Sequence, residues 1–316
     1  MVVRLWGVRG SLPTPLSTQE IKQKILFALT GASNPDIADG DAAKRYVESL
    51  PLHIKGSYGG NTSCVELQSG DSAIIFDAGS GIRPLGAHLM KGKFSKGRGT
   101  AYIFLSHTHW DHIQGFPFFL PAYVSGNRII IYSPYPDIEQ RVKSQQLYSY
   151  FPVSIEAMEA GIEFLPLSEG ETVTIEGISI SNIKLKHPGD SFGYRVEKKG
   201  RSFVYATDMA LNNLSGSELK KFIAFVSHAK VAVFDAQYRT NEVLSKKDWG
   251  HSSPRMAIDV AIQANVETVV LFHHDPAHDD YTLYKKFQAA LDYLSSKGQH
   301  NTCKVIMAYE GLQLTV

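Results

Sequence analysis

The chain has 316 residues, 43% hydrophobic and 20% charged, with 32 Lys plus Arg against 31 Asp plus Glu. Such a composition excludes a disordered or low-complexity chain, and the near-zero net charge argues against a protein that grips nucleic acid through a broad basic face. The two cysteines, Cys64 and Cys303, lie far apart, which excludes a thiolate zinc site and a disulfide framework.

In chain order, residues 1–8 alternate and read as a strand. Residues 13–55 have a different texture: Glu20 to Leu29 and Asp41 to Leu50 read as helices around the polar loop SNPDIADG. The strands CVELQS, SAIIFDAG, AYIFLS and RIIIYSP follow, then a helix over Asp137 to Tyr148. From Glu163 to Lys199 the pattern is strands with tight turns. SFVYATD, VAVFDAQY, TVVLFHH and KVIMAY then read as strands alternating with helices over Ser215–Ser227, Pro254–Ala264 and Asp279–Ser296. Long β runs followed by β/α alternation point to an α/β architecture of two packed sheets with helices outside. We read one domain over 1–316 with a helical insertion at about 13–55. The most apolar run, Phe116 to Val124, is short and broken by Pro117 and Pro121, so it cannot span a bilayer. The charged start lacks a signal-peptide core. A cytoplasmic protein is the expectation.

The chemistry concentrates in histidine. Residues 107–112 read His-Thr-His-Trp-Asp-His directly after a strand. On extended backbone His107 and His109 point the same way, and a turn after them swings Asp111 and His112 toward a second position. Imidazole and carboxylate suit zinc and related divalent ions. Further candidate ligands end other strands: His187, Asp208, and the pair His273-His274. His251 precedes a helix in Trp-Gly-His-Ser-Ser. Ends of neighbouring strands share one sheet edge, so these groups can converge. His278 and Asp279–Asp280 read as helix-start charges. His53, His88, His228 and His300 have no motif around them and read as structural or exposed.

These motifs resemble the metallo-β-lactamase superfamily, and within it phosphodiesterases of the ribonuclease Z and cyclic-nucleotide type. The likeness rests on the 107–112 motif, His187, Asp208, Leu271-Phe272-His273, Gly250-His251-Ser252-Ser253, and the start Leu5 to Ser11 with Tyr58 to Ser63. It implies a four-layered αββα sandwich with two divalent ions at one sheet edge, zinc first, manganese or iron as alternatives. His107, His109 and His187 would hold one ion; Asp111, His112 and His273 the other, with His274 in reserve; Asp208 would bridge. Asp77 and Asp235 would support the ligand loops. The implied reaction is attack of metal-activated water on a small phosphodiester such as a 3′,5′-cyclic nucleotide. Asp111 would orient the water and His251 would protonate the leaving oxygen. Asn61, Arg9 and Arg195 are the candidates to meet substrate charge. Trp110, Phe116, Phe118, Phe119 and Tyr123 can stack a base or simply form core.

Lactonase, thioesterase, arylsulfatase and RNA nuclease chemistry are the competing readings on the same site, and a non-catalytic metal-binding module is a further one. The near-zero charge and the lack of a long Gly/Pro-rich arm make tRNA an unexpected partner. The 13–55 segment reads as a lid or a homodimer element, with the dimer favoured.

Overall fold

The computed structural model describes residues 1–243, 246–298 and 303–316; His300 lies outside them. In chain order the elements are β1 Val2–Gly7, α1 Thr18–Gly31, α2 Gly40–Ser49, α3 Leu52–Lys55, β2 Cys64–Gln68, β3 Ala73–Phe76, α4 Ile82–Leu89, β4 Thr100–Phe104, α5 Trp110–Ile113, β5 Arg128–Ser133, α6 Ile138–Ser144 and β6 Gly161–Pro166. There follow β7 Thr172–Ile175, β8 Ile178–Leu185, β9 Ser191–Lys198, β10 Arg201–Ala206, α7 Gly216–Val226, β11 Val231–Asp235, α8 Pro254–Gln263, β12 Thr268–Phe272, α9 Asp280–Ser296, β13 Lys304–Met307 and β14 Gln313–Thr315.

Among the described residues the strands form two seven-stranded sheets, ordered β14-β1-β2-β3-β4-β5-β6 and β13-β12-β11-β10-β9-β8-β7. Each sheet has the same internal plan. Pairing is antiparallel from β14 to β3 and parallel from β3 to β6. It is antiparallel again from β7 to β10 and parallel from β10 to β13. The switch strands β3 and β10 are each followed by an aspartate in left-handed backbone: Asp77 at φ 61° and, after Thr207, Asp208 at φ 55°. Both aspartates stand just past the carboxyl ends of these strands, where α/β sheets place functional groups.

The sequence pattern explains the layers. β8 alternates, with Ile178 and Ile180 buried between less buried Ser179 and Ser181, as suits a strand with one wet face. β11 (VAVFD) is buried throughout, as expected of a parallel strand covered on both sides. Between the sheets lies an aromatic core of Phe76, Phe104, Tyr194, Phe203, Tyr205 and Phe272. Phe222 of α7, Ile258 of α8 and Leu283 of α9 pack the outer face of the second sheet, and Leu85 of α4 and Val142 of α6 that of the first. The result is mixed α/β with two sheets flanked by helices.

Residues 13–55 form α1, α2 and the single turn α3, and the loop expected between the long helices contains a 3₁₀ turn over Asn34–Ile37. α1 opens with a capping box, Ser17 against Glu20, yet none of its residues is buried. Its anchor is polar: Lys24 Nζ donates to His53 O (2.6 Å), Gly56 O (2.9 Å) and Asp280 Oδ2 (2.7 Å). Asp279 is the N-cap of α9. Asp280, expected as a helix-start charge, opens α9 and is buried, accepting from Lys24, Ser57 Oγ and Tyr58 N. No described helix is long and apolar enough to cross a membrane.

Candidate metal centre

The first motif is shaped from below by Asp77. Its carboxylate accepts from Ser106 N, Ser106 Oγ and Tyr205 OH, each at 2.7 Å, and meets His112 Nδ1 at 2.7 Å. That contact puts the His112 proton on Nδ1 and leaves Nε2 facing outward as a ligand lone pair. His107 follows Ser106 directly. His109 is the N-cap of α5, and the one-turn helix closes with His112 N donating to His109 O at 3.0 Å. The turn brings Asp111 and His112 back beside His107.

Three groups of donor atoms result, each with all members within 4.8 Å of one another: His107, His109 and His187; next to it Asp111, His112, Asp208 and His273; and, sharing members with the second, Asp208, Asp235, His251 and His273. In the first, His109 Nδ1 faces His107 Nε2 at 2.9 Å and His187 Nε2 at 3.1 Å. In the second, His273 Nε2 is 3.3 Å from His112 Nε2 and 3.1 Å from Asp111 Oδ2. Asp208 stands between them. Its Oδ1 faces His107 and His187 at 3.9 and 3.8 Å, and its Oδ2 faces His112 and His273 at 3.2 and 3.3 Å. Three imidazoles aiming nitrogens at one point cannot all donate to each other; a divalent cation accepts all their lone pairs at once. The nitrogen and carboxylate donors therefore fit such an ion.

Electrostatics follow the same division. In the first group burial dominates and holds the imidazoles neutral. It pulls His107 well below its ordinary range, lowers His109, and takes His187 to about 4. In the second, burial is opposed by mutual attraction. Burial alone would raise Asp111 and Asp208, but His112 and His273 hold both carboxyls well below the usual range. The same carboxylates lift His112, against the effect of burial.

A third element stands beside Asp208. His251 Nδ1 meets Asp235 Oδ2 at 2.6 Å, and Asp235 also accepts from Ser252 N, Asp208 N and Gln237 N. The His251 ring stacks on His273, centroids 5.0 Å apart. Its Nε2 has no partner among the described residues. Gly250, at φ 85°, lets its carbonyl reach His187 Nδ1 at 3.0 Å, and a Cβ there would sit 2.4 Å from that nitrogen.

Three contacts escape the sequence reading. Ser11 N donates to Asp111 Oδ2 at 2.7 Å, so the N-terminal loop borders the cluster. Gly10 lies against the His273 ring, where a Cβ would come within 2.4 Å. Gln237 Oε1 accepts from His273 Nδ1 at 3.0 Å. The Gly10-Ser11 pair carried a signal in the quoted N-terminal motif; Gln237 carried none. Arg141, whose guanidinium lies over Tyr135 and reaches Thr108 Oγ1 at 3.3 Å, adds a positive charge beside the motif.

Other expectations are corrected. Arg9 is buried, donating to Gly59 O, Asp275 O and His278 O, so it ties loops together. Arg195 donates to Phe225 O and Ser227 O beneath α7, and to Ser202 and Glu197. Asn61 is held by Glu310 through both backbone N and Nδ2, while Ser80 Oγ donates to its side-chain oxygen. In each case internal partners engage the polar group a substrate would need. His274 points away from the cluster: its Nε2 donates to Ala308 O at 2.8 Å, while His273 joins the second group. Phe116 and Phe119 are core, and Tyr123 donates to Pro117 O. Trp110 stays 77% exposed beside His109, and Phe118 is half exposed against Phe151; these two remain open to a ligand.

A family model described as "Beta-lactamase superfamily domain" matches residues 72–274. Among sequence relatives, the ribonuclease Z of Haloarcula marismortui is 23% identical over 305 residues, spanning 81% of this chain and 91% of that protein. Among solved structures, the short form of human tRNase Z is 19% identical with a TM-score of 0.61, covering 100% of this chain and 99% of that one. Yeast PDE1, at 15% identity and a TM-score of 0.64, covers 100% and 99%. The ribonuclease Z relatives overturn the expectation that tRNA is an unexpected partner. Net charge sums over the whole surface, whereas an RNA needs only a local run of cations.

Proposed function

The chain belongs to the beta-lactamase superfamily and is a metal-dependent hydrolase of ester bonds; we propose that it cleaves nucleotide phosphodiesters with two divalent ions, zinc by donor chemistry. His107, His109 and His187 would hold one ion, Asp111, His112 and His273 the other, and Asp208, which faces both groups, would serve both. When bound, the ions supply a hydroxide at neutral pH and neutralise charge on the phosphoryl group. Asp111 Oδ2 is engaged by Ser11 N, His112 and His273; its Oδ1 is the oxygen that orients the attacking water and takes its proton. Asp235 fixes His251 Nδ1, so His251 Nε2 is left to protonate the leaving oxygen.

The observation that carries this reading is that His251–Asp235 pair beside Asp208. A ribose oxygen is a poor leaving group, and a positioned acid is what its departure requires. Two ribose esters suit the site: the RNA chain, after the ribonuclease Z and tRNase Z names of its relatives, and a 3′,5′-cyclic nucleotide. Zinc-loaded protein is incubated with a 3′-extended tRNA, 3′,5′-cAMP, bis-p-nitrophenyl phosphate and a simple lactone, with Asp111→Ala as blank. Cleavage of the phosphodiesters and not the lactone is expected, and the tRNA and cAMP arms identify the substrate. Lactone hydrolysis with no phosphodiester cleavage would overturn the reading.

A further inference from the structure

Away from the metal cluster, a cavity of about 430 Å³ opens between the N-terminal end of α8, α9 and the segment 239–241. Its volume lies in the range of small-molecule sites. Four cations line it, Arg239, Arg255, Lys285 and Lys286, and no carboxylate does. Arg239 is paired with Glu242 at 2.6 Å. Arg255 and Lys285 have no carboxylate partner among the described residues; each lies only over a ring, Tyr293 at 5.0 Å and Tyr281 at 5.3 Å.

Lys286 is the telling residue. It is 5% exposed, and its ammonium donates to Ala236 O at 2.7 Å and Gln237 O at 3.1 Å. An ammonium has three donors, so one remains without a hydrogen-bond acceptor among the described residues, and Lys286 is part of the cavity lining. Burial of a cation is costly, and desolvation pulls Lys286 down to about 7 although the charges of Asp275, Asp235 and Glu242 act to raise it. An anion in the cavity would compensate Arg255 and Lys285, which have no carboxylate partner among the described residues, and would add an acceptor for Lys286. Tyr281, 51% exposed on the same wall, offers a ring face to a base.

We propose that this cavity is a second ligand site, separate from the metal centre, that binds the phosphate group of a nucleotide, either free or at the end of an RNA chain. Arg255 and Lys285 contact the phosphate, and Lys286 donates its third N–H. The proposal takes its nucleotide from the phosphodiesterase reading but not its geometry. The site communicates with the cluster through one short segment: Lys286 holds the carbonyl of Gln237, and Gln237 Oε1 holds His273.

The test is photolabelling of zinc-loaded full-length protein with 8-azido-AMP, with labelled peptides mapped, in wild type, R255E/K285E and Asp208→Ala. Label on α8 or α9 peptides is expected in wild type and in Asp208→Ala, and a loss of at least about tenfold in R255E/K285E, where two attractive charges become repulsive. Both substituted side chains are exposed, so R255E/K285E keeps its hydrolysis of bis-p-nitrophenyl phosphate. Displacement by inorganic phosphate at similar concentrations identifies a free phosphate ester as the ligand; tighter displacement by 5′-phosphorylated RNA identifies the polynucleotide. Equal labelling in R255E/K285E, or labelling that disappears only in Asp208→Ala, would overturn the proposal. Labelling of the cavity in a protein that cleaves no phosphodiester would leave the site standing and remove the functional reading instead.

Discussion

At the ends of β4, β10 and β12 the chain buries His107, Asp111, His112, Asp208 and His273 against one another; along α1 it leaves Ile25, Leu26 and Leu29 at least half exposed and buries nothing. The two regions are held by different means. The cluster side chains sit in a low-dielectric pocket where each charge depends on its neighbours, so removing one leaves others buried without compensation. α1 is held by a cap and by the Lys24–Asp280 contact, so its surface residues act nearly alone. The comparison teaches that sensitivity to substitution tracks shared partners more than hydrophobicity.

The sharpest break is Asp208→Ala. It removes the carboxylate facing both groups, and phosphodiester hydrolysis is expected to vanish in a steady-state assay; activity near wild type would contradict the bridging role. His251→Ala comes next, with kcat on a ribose ester falling about 10²–10⁴-fold. The fall on bis-p-nitrophenyl phosphate should be smaller, because that leaving group departs without protonation. Equal losses on both substrates would show that His251 does not act as the acid. Asp235→Asn then weakens the hold on His251 and on the Asp208 backbone. Loss of such a supporting carboxylate costs about 10–100-fold in activity or metal affinity, read as a kcat change and a zinc titration.

Lys286 gives a pH test. Its folded pKa, about 7, lies below the unfolded value near ~10.4. Between those values the unfolded chain holds the proton and the folded chain releases it. Stability therefore rises with pH through that window, and the penalty is full below pH 7. Denaturant titrations of wild type and Lys286→Met from pH 6.5 to 9.5 should show the wild type gaining on the variant by on the order of a few kcal/mol. Parallel curves would mean that Lys286 is not desolvated. The smallest effect belongs to α1: Leu26→Ser should change stability by no more than about 0.5 kcal/mol, and a larger loss would mean that face is covered in solution.

The sequence made the strands and the first motif legible because hydrophobic periodicity and ligand spacing are local properties. Some elements were not: α4 is barely two turns and β14 three residues long, and both take their shape from the sheet they pack on. His273 and His274 are chemically identical neighbours, and only the left-handed backbone at His273, φ 61°, decides that one faces the cluster and the other reaches Ala308 O. Arg9 and Arg195 looked like substrate cations because a sequence shows a charge and not the carbonyls that satisfy it. Gln237 reaches the cluster through a fold of the chain that no spacing encodes, and for Ser11 the motif marked the residue but not its contact with Asp111.

The most direct test of the two-ion site is zinc content by mass spectrometry on dialysed, metal-loaded protein, alongside His187→Ala and His273→Ala. The account predicts two ions per chain in wild type and a lower content in each variant, His187→Ala weakening one site and His273→Ala the other. A single ion per chain in wild type, or two ions retained in both variants, would contradict it.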